Sequence, residues 1–430
     1  MRILLVSNYF FPSNNVGAIR ATRLYEYLKA KGHSVSVVTF PLNYNSEGND
    51  RWDFRYSEKD INRVPSFFLS PTIIKTQRKS EVNTFILLLK KLNIAKIDVH
   101  IFWVMNVIRF IIQKKMYKNL DFVITTSPHD YNHFVGYLFK KVFSIKWVAD
   151  YRDGWTLRPD FNPSGNKAKA ALERTLERTI LKKCDVLTAA SPSLLRETVN
   201  RFQITTKNRL TILNGFDRKY FELSLELNGT NSRTGKFVIL YFGSFDRNRS
   251  PIPFLNLLRR FLERNTQFAD LVEVEFVTYF KRDDPDFEKI LFNFTQRLPF
   301  SIKWTPFMPY ERLICYVKER ADILLLCLGD PEKDLSKYNA WVLAKVFDYL
   351  LLRKPILGIL PSEGDTAQII RDTLSGECID PLDYESFEQI LLFMLTYRHN
   401  LAEKYKFKDV KKYMREEQFK KLEEVLLSLA

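Results

Sequence analysis

The chain has 430 residues, enough for two or three domains with sizeable cores. Its net charge is +16 and 14% of its residues are aromatic, 35 of them Phe, a balance that fits anionic partners or a coding bias towards Lys and Phe. No run approaches the ~18 apolar residues of a spanning helix, and Cys184, Cys315, Cys327 and Cys378 lack metal or disulfide spacing, so a reduced cytoplasmic protein, soluble or peripheral to a membrane, is expected.

The first strand is predicted at 3–6, within MRILLVS, a run too short and too soon broken by Asn8 to be a signal peptide. A loop over 7–17, a helix over 18–31 closed by Gly32, and a strand over 34–39 open a doubly wound sheet. The loop reads FFPSNNVG and Arg20 follows it. It holds no GxGxxG, so a dinucleotide fingerprint is absent. On residues alone, Gly17 is a convenient helix entry.

Residues 43–119 are the least legible. They carry two apolar-basic segments, 85–95 and 99–118. The second mixes Phe102, Trp103, Met105, Ile108 and Ile112 with Arg109, Lys114, Lys115 and Lys118. An interfacial helix on an anionic membrane has this composition, and so does a core helix ending in solvated lysines. A strand over 121–126 leads to Ser127-Pro128 and a helix through His133. The strand over 146–149 ends in Asp150-Tyr151-Arg152-Asp153-Gly154-Trp155. Three charges at a strand end sit where open α/β sheets hold ligand groups. An arginine clamp that fixes the following loop is the other reading. No His accompanies the aspartates, and no metal or other cofactor is expected. Helices over 167–183 and 192–202 alternate with strands over 186–190 and 210–213. Asn214-Gly215-Phe216-Asp217 closes a first domain over 1–217, and polar residues 218–236 read as a linker.

The second domain, over 237–406, opens with an apolar strand over 237–242 and Gly243. Asp246, Arg247 and Arg249 precede a helix that starts near Pro251. Arginine forks suit phosphate oxygens. A strand over 272–279 leads to Lys281, and the alternation continues through 302–304, 309–320 and 323–327. From Tyr338 the chain reads YNAWVLAKVFDYLLLRKPILGIL. A helix is predicted over 339–352, with Val342, Leu343, Val346, Phe347 and Leu350 on one face, then a strand over 355–360. Lys345 and Asp348 share another face, on spacing alone a surface ion pair. Gly364 and Thr366 stand in a Gly-polar loop before a helix over 367–374, a ready anion site. The amphipathic tail over 407–430 is expected to return to the first domain.

These motifs, in this order, resemble those of the retaining glycosyltransferases of family 4. The matching residues are the first loop with Arg20, Asp150 to Trp155, N-G-F-D, Gly243 with Arg249, K-V-F-D-Y-L followed by K-P-I-L, and the Gly364 loop. The resemblance implies an α/β GT-B fold of two Rossmann-like domains facing a cleft. It implies a nucleotide-sugar donor, a saccharide or lipid-linked acceptor, and a place in surface polysaccharide synthesis at the inner face of the plasma membrane. It puts Gly17, Gly243, Arg249, Arg247 or Lys281, and Lys345 near the donor diphosphate, with Gly364 and Thr366 in the same donor set. Asp348 would hold the ribose. Asp150, Arg152 and Asp153 would form the catalytic group, with His133 and Trp155 on the acceptor side. Two departures stand out. Asp348 replaces the usual glutamate, and Ala340 stands where the broader family has another. A sugar-nucleotide epimerase or hydrolase, or a non-catalytic scaffold of the same fold, are the alternatives. No RNA-binding module signature is present, so nucleic acid is not an expected partner.

Overall fold

Apolar runs buried on both faces make the central strands, as parallel sheets covered on both sides require, while the edge strands are more polar and partly exposed. The structure is a computed structural model and describes residues 1–13, 16–41, 56–65, 100–158, 161, 167–227, 235–278, 285–329 and 334–430. The segment expected over 85–95 and the loop residue Lys281 lie outside them. The chain forms two units, Met1–Ile212 with Phe419–Ala430, and Leu213–Gln418.

The first unit holds β1 (Arg2–Val6), β2 (Ser34–Thr39), β3 (Ile61–Arg63), β4 (Phe122–Thr126), β5 (Lys146–Tyr151), β6 (Val186–Ala189) and β7 (Asn208–Thr211). They form one parallel sheet in the order β3-β2-β1-β4-β5-β6-β7. The order reverses between β1 and β4, which opens a crevice at their C-terminal ends. One core joins Leu5, Val37, Ile124 and Val148 of the sheet to Leu24 and Leu28 of the Val16–Ala30 helix. Phe419, Leu422 and Leu426 of the last helix, Arg415–Leu429, fill the same core. Burying each such side chain contributes about 1.5–3 kcal/mol. Glu423 fixes that helix further by accepting from Tyr27 Oη at 2.7 Å and lying 2.9 Å from His33 Nε2.

The second unit holds β8 (Phe237–Phe242), β9 (Val272–Thr278), β10 (Ile302–Pro306), β11 (Ile323–Cys327), β12 (Ile356–Ile359) and β13 (Gly376–Ile379). Its parallel order is β10-β9-β8-β11-β12-β13. The reversal lies between β8 and β11, so Gly243 leaves β8 at the switch point. All six β8 residues are buried. The stretch read as a linker begins with a helix, Arg218–Glu226, whose Tyr220 and Phe221 are buried. Ser224 Oγ on it donates to Leu351 O at 2.8 Å.

The helix expected over 339–352 starts later, at Ala344, and ends at Leu352. Residues 339–343 are instead tied to the Asp365–Thr373 helix. Asp365 N donates to Asn339 O at 2.8 Å, and Thr366 Oγ1 donates to Trp341 O at 2.8 Å. Leu343 N donates to Thr366 Oγ1 at 3.1 Å. These tertiary bonds take up the backbone groups that a further helical turn would have used.

Candidate functional site

In the second unit, the end of β8 and the start of the Ala344–Leu352 helix meet at the switch point. Gly243 has φ +113°, a conformation that side chains rarely adopt, and a Cβ there would fall 2.4 Å from Lys345 Cε. The missing side chain is therefore the space in which Lys345 lies. Its ammonium sits 4.1 Å from the Tyr241 ring centroid, donates to Tyr241 Oη, and reaches Ser244 O at 3.3 Å. Burial, and then the Arg249 guanidinium, push the Lys345 ammonium well below its usual range. Arg249 itself binds Asp246, with Nε 3.0 Å from Oδ2, and Asp246 also caps the backbone at Asn248 and Arg249. This loop is held to the end of β11 through Gly329 N, which donates to Asn248 O at 2.8 Å.

One helical turn from Lys345, Asp348 accepts a hydrogen bond from Tyr310 Oη. Burial pushes its carboxyl up to about 6, against the Tyr310 bond and the charge of Arg415. Arg415 belongs to the same corner. It pairs with Asp217, and its Nε donates to Asn214 O at 2.9 Å. The N-G-F-D turn is thus clamped there. Gly215, at φ +61°, leaves room for Tyr413 O, which a Cβ would approach to 2.4 Å. Gly243, Arg249, Lys345 and Asp348 are brought together. Arg247 lines a groove with Arg259, Arg260 and Tyr384. Gly364 caps the Asp365–Thr373 helix, and Thr366, whose hydroxyl both donates and accepts in holding residues 341–343, is buried.

In the first unit, Asp150 at the end of β5 is the centre of a closed network. Arg20 Nε and Nη2 meet its two oxygens at 2.9 and 2.6 Å, and Thr126 and Thr188 hydroxyls donate to it at 2.7 and 2.6 Å. Burial pushes the Asp150 carboxyl up, but Arg20 and these bonds outweigh it and hold the group at about 2. Arg20 also donates to Ile212 O at 2.8 Å. The clamp that the sequence left open is present, and its arginine is Arg20. Arg152 and Asp153 pair with each other at 2.9 Å beyond the strand, and Ser127 Oγ accepts from Arg152 N at 3.0 Å. Gly17 is buried in the first turn of its helix.

His133 and Trp155 are interior residues, 0% and 2% exposed. His133 Nδ1 lies 2.8 Å from Thr125 Oγ1, and burial lowers the ring to about 4. Trp155 Nε1 donates to Glu173 at 3.1 Å. An acceptor-facing surface, expected for both, is not what they present. Their apolar surroundings come from residues distant in sequence, which motif spacing does not report.

Sequence reasoning missed Tyr241 and Tyr310, whose roles rest on long-range contacts without a local signal, and it named Asp246 without seeing that it holds Arg249 three residues on. It also missed Glu177 on the Lys167–Leu181 helix. This fully buried carboxyl accepts from Tyr151 Oη and from Thr156 N at 3.1 Å, and burial raises it well above the usual range. A Glu within an otherwise amphipathic helix gave no warning. Among the described residues, no group of three or more His, Cys, Asp or Glu is placed to hold a metal ion.

No family model and no curated protein matches the chain. Solved structures do, over its full length. A sucrose-phosphate synthase from Thermosynechococcus elongatus matches with TM-score 0.68 and 15% identity, covering 100% of both chains. Anabaena HepE in complex with UDP and glucose matches with TM-score 0.62 and 13% identity, again over 100% of both. A glycosyltransferase from Rickettsia africae matches with TM-score 0.63 and 14% identity over 100% of this chain and 98% of that one. At such identity the likeness speaks for architecture, and the chain has the GT-B fold, two Rossmann-like parallel-sheet units.

Proposed function

We propose that this protein is a retaining glycosyltransferase of the family 4 type. It moves a sugar from a nucleotide-diphosphate donor to a saccharide or lipid-linked saccharide in surface polysaccharide synthesis. The observation that carries this reading is the meeting of Gly243, Lys345, Arg249 and Asp348 at the β8/β11 switch point. Gly243 makes room for Lys345 at the strand end, Arg249 stands beside that lysine for the diphosphate, and a carboxylate stands one turn away for ribose hydroxyls. HepE structures holding UDP and UDP-glucose share the fold and support the donor class.

In this reading the protein supplies position and charge. An acceptor hydroxyl attacks on the face from which the diphosphate leaves. Lys345 and Arg249 stabilise the charge that develops on the leaving group, with no metal. Asp150, saturated by Arg20, Thr126 and Thr188, acts as scaffold for the Arg152-Asp153 end of β5 rather than as nucleophile. Thermal-shift measurement against UDP-, GDP-, ADP- and dTDP-sugars tests the donor site. One nucleotide should stabilise the protein by about 2.7 kcal/mol at a hundredfold excess over Kd, and Asp348→Ala should remove the shift. No shift with any of them, or an undiminished shift in the variant, would refute the assignment.

We further propose contact with an anionic membrane through the His100–Gln113 helix. No helix among the described residues is long and apolar enough to cross a membrane. Trp103, Val107 and Ile111 of this helix face the core. Its outer stripe carries Met105, 61% exposed, and Ile112, 45% exposed, beside exposed Arg109, Lys114 and Lys115. The protein should sediment with phosphatidylglycerol vesicles. Replacing Lys114, Lys115 and Lys118 by glutamate should weaken vesicle binding by at least about a hundredfold, at about 1 kcal/mol for each positive charge lost near the surface. Equal sedimentation of the variant would sink the idea.

A further inference from the structure

The second unit carries a groove that the transfer chemistry proposed above does not use, although Arg247, which the resemblance offered as a diphosphate ligand, stands on its wall. It lies between the Ile252–Arg264 helix, the Pro285–Thr295 helix and residues 381–384, and encloses about 600 Å3. Ligand pockets span roughly 300–1,000 Å3. The floor is apolar, with Leu257, Phe287 and Pro381. The charged wall has one sign: Arg247, Arg259 and Arg260 line it, and no acidic residue does among the described residues.

Arg260 is already oriented. Its guanidinium carbon lies 3.9 Å from the Tyr384 ring centroid, and Glu388 accepts from Tyr384 Oη at 3.0 Å. A guanidinium stacked on a ring loses little further freedom when its N–H edge meets an anion. Nearby carboxylates are engaged elsewhere. Asp246 binds Arg249, and Asp383 accepts from Ser386 N at 3.1 Å. At the rim, Leu382 is 73% exposed and Ile290 is 46% exposed. Large apolar side chains beside arginines on one wall call for a ligand with both characters.

We propose that this groove binds an amphiphilic phosphate ester, with its phosphate on Arg259 and Arg260 and its apolar body along Leu257, Ile290 and Leu382. Two adjacent guanidinium forks match phosphate oxygens better than a single carboxylate, and the apolar floor favours an ester over inorganic phosphate. The inference stands independently of the transfer reaction.

Calorimetric titration of the full chain with octyl phosphate, kept below its micelle concentration, tests it. One saturable site is expected, with octanol and inorganic phosphate each binding about tenfold more weakly or worse. Arg259→Ala and Arg260→Ala should each weaken octyl phosphate about tenfold; both side chains are exposed, so Arg259→Ala should leave Tm unchanged and Arg260→Ala, which gives up the Tyr384 stack, should lower it only slightly. Retention on phosphatidylglycerol vesicles that depends on Arg259 and Arg260 would assign a membrane-borne ester. Binding of the monomeric ester without such retention would assign a soluble one. Absence of a saturable site, equal binding of octanol, or indifference to both substitutions overturns the proposal.

Discussion

Arg20→Ala is expected to destabilise the protein by about 3–5 kcal/mol, the cost of leaving one partner of a buried ion pair alone. Arg20 and Asp150 are each only 5% exposed in their side chains. The substitution leaves Asp150 charged in the interior with two hydroxyl donors, and also frees Ile212 O. Against a typical stability of 5–15 kcal/mol this is a large fraction. Urea unfolding should show the midpoint falling sharply. Arg20→Lys should recover little, because an ammonium cannot span both carboxylate oxygens. Arg20→Ala with Asp150→Asn should recover part of the loss by removing the stranded charge. The pH dependence has a definite sign. Asp150 is depressed to about 2 from an unfolded value of about 3.9. Its contribution is therefore fully present above about pH 4 and is lost as pH falls through about 2. An Arg20→Ala protein that unfolds at the wild-type urea concentration would show that the clamp carries no stability.

The second large effect concerns turnover. Lys345→Ala should lower kcat by about 10²–10³, the cost of removing one preorganised group from a developing charge, with the fold retained. Gly243→Ala should reproduce it, because the new Cβ would stand 2.4 Å from Lys345 Cε and displace that chain. In the free protein burial and Arg249 hold the Lys345 ammonium well below its usual range. An arriving diphosphate favours the charged form, so donor binding should take up a proton. Calorimetry in buffers of different ionisation enthalpy measures this, and the uptake should vanish in Lys345→Ala. Asp348, near 6, adds a second signature. On the proposed reading ribose hydroxyls would donate to the ionised carboxylate, so donor affinity should fall as pH drops below about 6, and Asp348→Asn should flatten the profile. Proton uptake unchanged in Lys345→Ala would remove that residue from the donor site.

The strand alternation was legible because both sheets are parallel and covered, which writes their central strands as short apolar runs such as FVILYF. The residues gathered at Gly243 were legible as types at a strand end and on one helix face. What spacing could not give was their partners. Tyr310 meets Asp348 from 38 positions away, and Arg20 meets Asp150 from 130. The late start of the Ala344–Leu352 helix has the same origin. Local pattern favoured helix through Asn339, and the N-terminus of another helix, through Asp365 and Thr366, took those backbone groups. His133 and Trp155, which the resemblance put on the acceptor side, are packed inside by contacts that no motif spacing reports.

Because Phe419, Leu422 and Leu426 belong to the core of the first unit, order of synthesis and order of folding cannot coincide. When residue 212 leaves the ribosome, the part of the sheet face that these side chains cover is still bare. It stays so while some two hundred further residues are made. The nascent first half must wait, exposed or chaperoned, and a message that stops short of residue 419 yields a protein defective at its beginning rather than at its end.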